Sequence, residues 1–111
     1  MNDDAASSGD NTGAAAPSSS SNAVVREIPI INKRGLHARA SAKFVKMVEE
    51  FDAEVLVTRG GETVGANSIM GLMMLSAGPG TTIVVSATGA QAEAAVAALA
   101  ELVSKKFNEE E

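Results

Sequence analysis

Cysteine is absent from this chain of 111 residues. That excludes a disulfide framework, thiol catalysis and a thiolate zinc site, and it makes a reducing compartment, the cytoplasm, the expected setting. Tryptophan and tyrosine are missing too, and the only aromatics are Phe44, Phe51 and Phe107, so aliphatic side chains have to build the core. No apolar run approaches the ~20 residues of a membrane span, and the chain begins with acids where a signal peptide is basic. No membrane insertion is expected. His37 is the only histidine, which leaves no partner for a metal site and no Ser/His/Asp grouping for a self-contained hydrolase. Neither a metal nor another cofactor is expected.

Lys and Arg are outnumbered by Asp and Glu, 9 to 14, and the net charge of −5 argues against nucleic acid as a partner. The basic residues are not spread evenly. Lys33, Arg34, Arg39, Lys43 and Lys46 fall within 14 residues that contain no acid, and His37 lies among them.

Residues 1–22 (MNDDAASSGDNTGAAAPSSSSN) are small and polar, so burial cannot offset the entropy of ordering them, and they are expected to form a disordered tail. One folded domain is expected over 23–107, and 108–111 reads as an acidic C-terminal tail. Val24–Ile31 has strand character, with Pro29 demoting it to an edge position or to one whose N–H faces outward. A helix is expected from Ala38 to Glu50, turning Phe44, Val48 and Phe51 toward the sheet. Ala53–Thr58 and Glu62–Ala66 flank Arg59-Gly60-Gly61 and read as a hairpin. Ser68 opens a short apolar helix to Leu75, Thr82–Ala87 is the last strand, and a helix follows over Ala90–Lys106. Thr88 and Gln91 have capping-box spacing at its start, and its apolar stripe is Ala92, Ala95, Val96, Leu99, Leu102 and Val103. The order β-α-β-β-α-β-α predicts an α+β fold.

A lone histidine is ordinarily a surface or structural residue. His37, however, stands where a glycine-containing loop enters a helix, and there unpaired N–H groups and the positive helix end favour phosphate. The same field favours the uncharged, nucleophilic ring. Arg39, two residues on, either steadies a phosphoryl group or is a solvated surface arginine. The helix after Ser68 is apolar nearly all round. If Leu72 and Leu75 face the core, Ile69, Met70 and Met73 remain at the surface as an adaptable docking patch, unless the whole stretch is core. Ser68 itself reads as an N-cap.

Gly35-Leu36-His37-Ala38-Arg39, followed by Ala42-Lys43-Phe44-Val45, resembles the active-site segment of the HPr family of histidine-containing phosphocarriers. Ser68-Ile69-Met70-Gly71-Leu72-Met73 resembles the same family's regulatory-serine segment, at the family's separation from the histidine. The resemblance covers nearly all of 23–107 and implies an open-faced β-sandwich, a four-stranded antiparallel sheet covered on one face by three helices. It implies that His37 accepts a phosphoryl group on Nδ1 from an enzyme I-type phosphotransferase and passes it to an enzyme IIA-type domain. It further implies that Arg39 assists, that Ser68 is modified by an HPr kinase/phosphorylase, that Ala38, Ala42, Lys43, Ile69, Met70 and Met73 meet the partners, and that the carrier is a monomer. Ala40 departs from the family's usual proline at that place. This variant motif, with no sugar-specific domain attached, points to the nitrogen-related branch of the phosphotransferase system, while a sugar transporter and a regulator both stay open as the final acceptor.

Two other readings separate from this one by experiment. A binding module that docks through Ile69, Met70 and Met73 would carry no acid-labile phosphate. An enzyme using His37 as general base would turn over a small substrate unaided, but no residue in the sequence stands out to orient the imidazole.

Overall fold

Alternation of buried and exposed side chains places the strands. Ile83, Val85 and Ala87 of β4 (Thr82–Thr88) and Val55 and Val57 of β2 (Glu54–Arg59) point into the core, as a period of two requires. β1 (Val24–Pro29) and β3 (Glu62–Gly65) complete one antiparallel sheet in the order β1-β4-β2-β3. Pro29 therefore lies on an edge strand, where its missing N–H interrupts no inner ladder. The description comes from a computed structural model and covers residues 23–109; the tail expected over 1–22 and the last two residues lie outside the described residues.

Three helices, α1 (Ala38–Val48), α2 (Ile69–Met74) and α3 (Ala92–Ser104), cover one face of the sheet. Phe44 and Val48 of α1 are buried, and Phe51 packs partly buried against the same core. The six stripe residues of α3 are all buried. On the other face Val25 and Leu56 both stand opposite Ser86 and are exposed, so that side of the sheet is open.

Several element ends fall one or two residues inside the expected bounds, β1 stopping at Pro29 and α3 at Ser104, and one expected cap does not form. α1 ends at Val48, with Glu49 as its C-cap, rather than running to Glu50. The capping box of Thr88 and Gln91 does not form either: α3 starts later, at Ala92, with Gln91 as an N-cap that makes no side-chain cap bond. The Gln91 side chain is used elsewhere, its Oε1 accepting from Asp52 N–H at 2.7 Å, while Gln91 N–H donates to the Asp52 carbonyl at 2.9 Å. Gln91 thus ties the start of α3 to the α1–β2 loop.

After α3 the chain makes one more turn, Lys106–Asn108, which buries Phe107 completely. That turn carries the chain back across the start of α1.

Candidate functional site

The loop that presents His37 is fixed from within. Gly35 adopts φ +66, Leu36 N–H donates to the Ala77 carbonyl at 2.9 Å, and the buried Ser41 donates its hydroxyl to the Leu36 carbonyl at 3.1 Å. His37 follows as the N-cap of α1, in extended conformation at φ −73 and ψ −178. Serine, threonine or aspartate ordinarily fills that position; here the imidazole Nδ1 accepts from Arg39 N–H at 3.3 Å. Ala40, in the first turn where the resembling family usually has proline, is wholly buried, and the helix begins at Ala38 without it.

The other ring nitrogen is engaged as well. Nε2 lies 2.6 Å from Oε2 of Glu109, whose side chain is only 10% exposed against 21% for His37. One protonation pattern satisfies both contacts, with hydrogen on Nε2 and the lone pair on Nδ1. Burial pushes the Glu109 carboxyl upward, but hydrogen bonds from His37 and Asn32, with the electrostatic pull of His37 and Lys43, outweigh it and hold the group below the usual carboxylate range. The second carboxylate oxygen accepts from Asn32 Nδ2 at 3.3 Å.

Beside the ring lies an open groove of about 620 Å³ lined by Lys33, Arg34, Arg39 and Lys43, with Asn108 and Glu109 at its side. Four of the five clustered basic residues thus come together at His37, and Lys46, near the end of α1, is not among them. Lys43 Nζ donates to the Phe107 carbonyl at 2.6 Å, so this residue, expected to meet partners, also holds the C-terminal turn. Arg39 is exposed; its backbone touches the histidine and its side chain lines the groove. Ala38 is exposed and Ala42 is half-buried on the same helix.

Ser68 caps α2, its hydroxyl accepting from Gly71 N–H at 3.0 Å. Leu72 and Leu75 are buried, while Ile69 and Met73 are 39% exposed and Met70 is 67% exposed. Met74, which the spacing did not single out, is 69% exposed and extends the patch. α2 packs beside α1, so patch and groove lie on adjoining helices.

Two residues at the site escaped sequence reasoning. The Glu109 carboxylate meets the imidazole for which the sequence offered no partner, and Asn32 hydrogen-bonds Glu109. Asn32 reads as an ordinary loop residue, and Glu109 is the first of three consecutive glutamates. The one available signal was Phe107, an aromatic placed just past a lysine pair where a tail would have none.

Among the described residues no helix is long and apolar enough to cross a membrane, and no cluster of potential metal ligands forms. The family described as "PTS HPr component phosphorylation site" matches residues 24–105. Phosphocarrier protein NPr of Shewanella violacea is 44% identical over 84 residues, which is 76% of this chain and 92% of that protein. Phosphocarrier protein HPr of Cupriavidus necator is 45% identical over 86 residues, 78% of this chain and 97% of the relative. The solved structure of HPr-C-His from Thermoanaerobacter tengcongensis superimposes with a TM-score of 0.76 at 40% identity, covering 79% of this chain and 99% of that one. Its strand and helix order is the one described above. With a match that spans the sheet, the helices and the histidine loop together, the chain belongs to the HPr family of phosphocarrier proteins of the phosphotransferase system.

Proposed function

We propose that His37 is the phosphoryl acceptor, and that the chain takes the group from an enzyme I-type donor and delivers it to an enzyme IIA-type acceptor. One observation carries the reading: Nδ1 of the only histidine caps a helix N-terminus inside a groove lined by four basic side chains. The lone pair on Nδ1 is the nucleophile, and a phosphoryl group formed there meets the first-turn amides, the positive helix end and the Arg39 guanidinium. The chain acts as a covalent carrier, regenerated when the group moves on. Incubation with an enzyme I-type donor and phosphoenolpyruvate, followed by mass spectrometry, tests it. One acid-labile phosphate on His37 is expected, and its absence, or its placement on another residue, overturns the reading.

Arg39 assists the transfer rather than the docking. Its guanidinium reaches full use only when charge sits on the moving phosphoryl group. Arg39→Ala is expected to slow transfer roughly tenfold or more, the effect of one charged hydrogen bond, while donor affinity stays nearly unchanged. Rapid-quench transfer kinetics and calorimetric titration separate the two, and equal losses in both would make Arg39 a docking residue.

The exposed patch of Ile69, Met70, Met73 and Met74 supports docking of both partners there, with Ala38, Ala42 and Lys43 on the adjoining helix. Ser68 stands at the edge of that patch as a regulatory phosphorylation site for a kinase of the HPr kinase/phosphorylase kind. Phosphate on Ser68 faces the free N–H groups it already caps, so the fold tolerates it. A partner covering the methionines would have to desolvate that charge, at a cost of several kcal/mol, where each ~1.4 kcal/mol is a factor of ten. Phosphorylation of Ser68 is therefore expected to weaken donor binding at least ~tenfold with little change in melting temperature. Unchanged affinity by calorimetry, or a collapsed melting temperature, would show that the patch serves the core instead.

A relative named NPr matches at 44% identity and relatives named HPr at 43% to 48%, so identity alone does not choose between the branches. The NPr match, together with Ala40 in the histidine motif, supports placement in the nitrogen-related branch. A pure docking module would use the same patch but leaves the basic groove and the capping histidine without a purpose.

A further inference from the structure

The turn Lys106–Asn108 is left-handed, with φ of 55, 57 and 59 at three successive residues, none of them glycine. Side chains with a Cβ resist that conformation, and it persists only where surroundings over-determine it. Here they do. Phe107 is wholly buried, its carbonyl accepts from Lys43, Asn108 N–H donates to the Lys105 carbonyl at 2.9 Å, and Glu109 N–H donates to the Lys106 carbonyl at 3.0 Å. What the turn delivers is Glu109, onto Nε2 of His37.

Asn32 supports the same placement at an expense of its own. It is fully buried, and its Nδ2 donates both to the Gly35 carbonyl at 2.8 Å and to Glu109 Oε1 at 3.3 Å. Its Oδ1 is buried without a hydrogen-bond partner. Reversing the amide would set that oxygen against two acceptors, so the orientation is dictated by Gly35 and Glu109. A buried polar atom left unpaired is unfavourable, and the bonds made by the other end of the amide are what retain it. The side chain joins the histidine loop to the carboxylate that meets the histidine.

We propose that Glu109, held in place by Asn32, is a positioning residue for phosphoryl transfer through His37. This rests on the reading of His37 as acceptor. Glu109 keeps the ring proton on Nε2 and so leaves the lone pair on Nδ1. In the transfer that lone pair forms the N–P bond while the bond from phosphorus to the donor breaks, its electron pair leaving with the donor. The ring keeps its Nε2 proton and becomes cationic, and the carboxylate at Nε2 balances that charge. On delivery the N–P electron pair returns to Nδ1, the next acceptor gains the phosphoryl group, and the ring is neutral again. Among the described residues lining the groove, the other charged groups, Lys33 and Arg34 from the loop and Arg39 and Lys43 from α1, are all cationic, so Glu109 is the one among them that favours a positive ring.

The test uses the full chain. ¹⁵N NMR of the unphosphorylated protein reads the His37 tautomer directly, and a Nε2-protonated ring is expected for the wild type. Glu109→Gln should erase that preference and slow phosphoryl uptake on the order of tenfold or more, with donor affinity unchanged; Asn32→Ala should move both readouts the same way by less. Glu109→Asp, which keeps the charge, should recover part of the rate, and circular dichroism confirms that each variant is folded. An unaltered tautomer and rate in Glu109→Gln, or faster uptake, overturns the proposal while the wild type still takes phosphate. A wild type that takes none removes the acceptor reading instead.

Discussion

His37→Ala reduces phosphate uptake from an enzyme I-type donor to background and leaves a folded, somewhat less stable domain. The first half follows because the chain holds no second histidine to receive the group. The second half is less simple than a surface position would suggest. The imidazole caps α1 through Arg39 N–H, and it is the donor to a largely buried carboxylate on Glu109. Removing a cap costs about 0.5–2 kcal/mol, and an acceptor left unsatisfied costs roughly 1–3 kcal/mol more. A small domain has ~5–15 kcal/mol of stability to draw on, so the variant stays folded with a lower melting temperature. Adding Glu109→Gln to His37→Ala removes the stranded charge and should return part of the loss. Phosphate incorporation, circular dichroism and thermal melts of the single and double variants check the set. An acid-labile phospho-adduct on His37→Ala would sink the assignment of His37.

Why some of this was legible in the sequence and some was not follows from the range of the contacts. The strands and the face of α3 rest on local periodicity: Ile83, Val85 and Ala87 alternate, and the stripe from Ala92 to Val103 recurs at helical spacing. Leu72 and Leu75 could be assigned to the core because a short helix over a sheet buries only one side. Ser68 was visible as a cap, and His37 as the residue at a loop–helix junction, because both are matters of adjacent residues; that the imidazole itself caps α1 was not.

What failed depends on partners far along the chain. Gln91 was matched with Thr88, three residues away, whereas its bonds go to Asp52 in another loop. Glu109 lies 72 positions from His37 and reaches it only through a left-handed turn at lysine, phenylalanine and asparagine, where no glycine announces a change of direction. Tertiary contacts impose that turn, chiefly the burial of Phe107 and the Lys43 bond. No local pattern predicts it. For the same reason the acidic tail expected over 108–111 and the site turn out to overlap at Asn108 and Glu109.

Gly35→Ala is expected to be the most destabilising single-methyl change in the domain. Gly35 has φ +66, which alanine adopts only at a penalty of about 1 kcal/mol. Space is the larger obstacle. A Cβ there would stand 2.3 Å from the Ala77 carbonyl oxygen and 2.7 Å from Gly78 Cα, both of them backbone atoms that cannot rotate away. That same carbonyl accepts the Leu36 N–H bond, and Gly35's own carbonyl accepts from Asn32, so relief by moving the loop breaks the contacts that hold His37 and Glu109 in register. Strain at a special φ together with overpacking belongs to the changes that cost roughly 3–5 kcal/mol, a large share of the whole. Gly60→Ala is the internal control: its φ is +59, yet nothing lies within 4 Å of an added Cβ, so it isolates the conformational penalty alone. Urea unfolding of both variants should therefore show a shallow loss for Gly60→Ala and a loss several times larger for Gly35→Ala, accompanied by slowed phosphate uptake in whatever fraction remains folded. Equal midpoints for the two would mean that the loop yields at Ala77 without resistance, and the account of how His37 is held would fail with it.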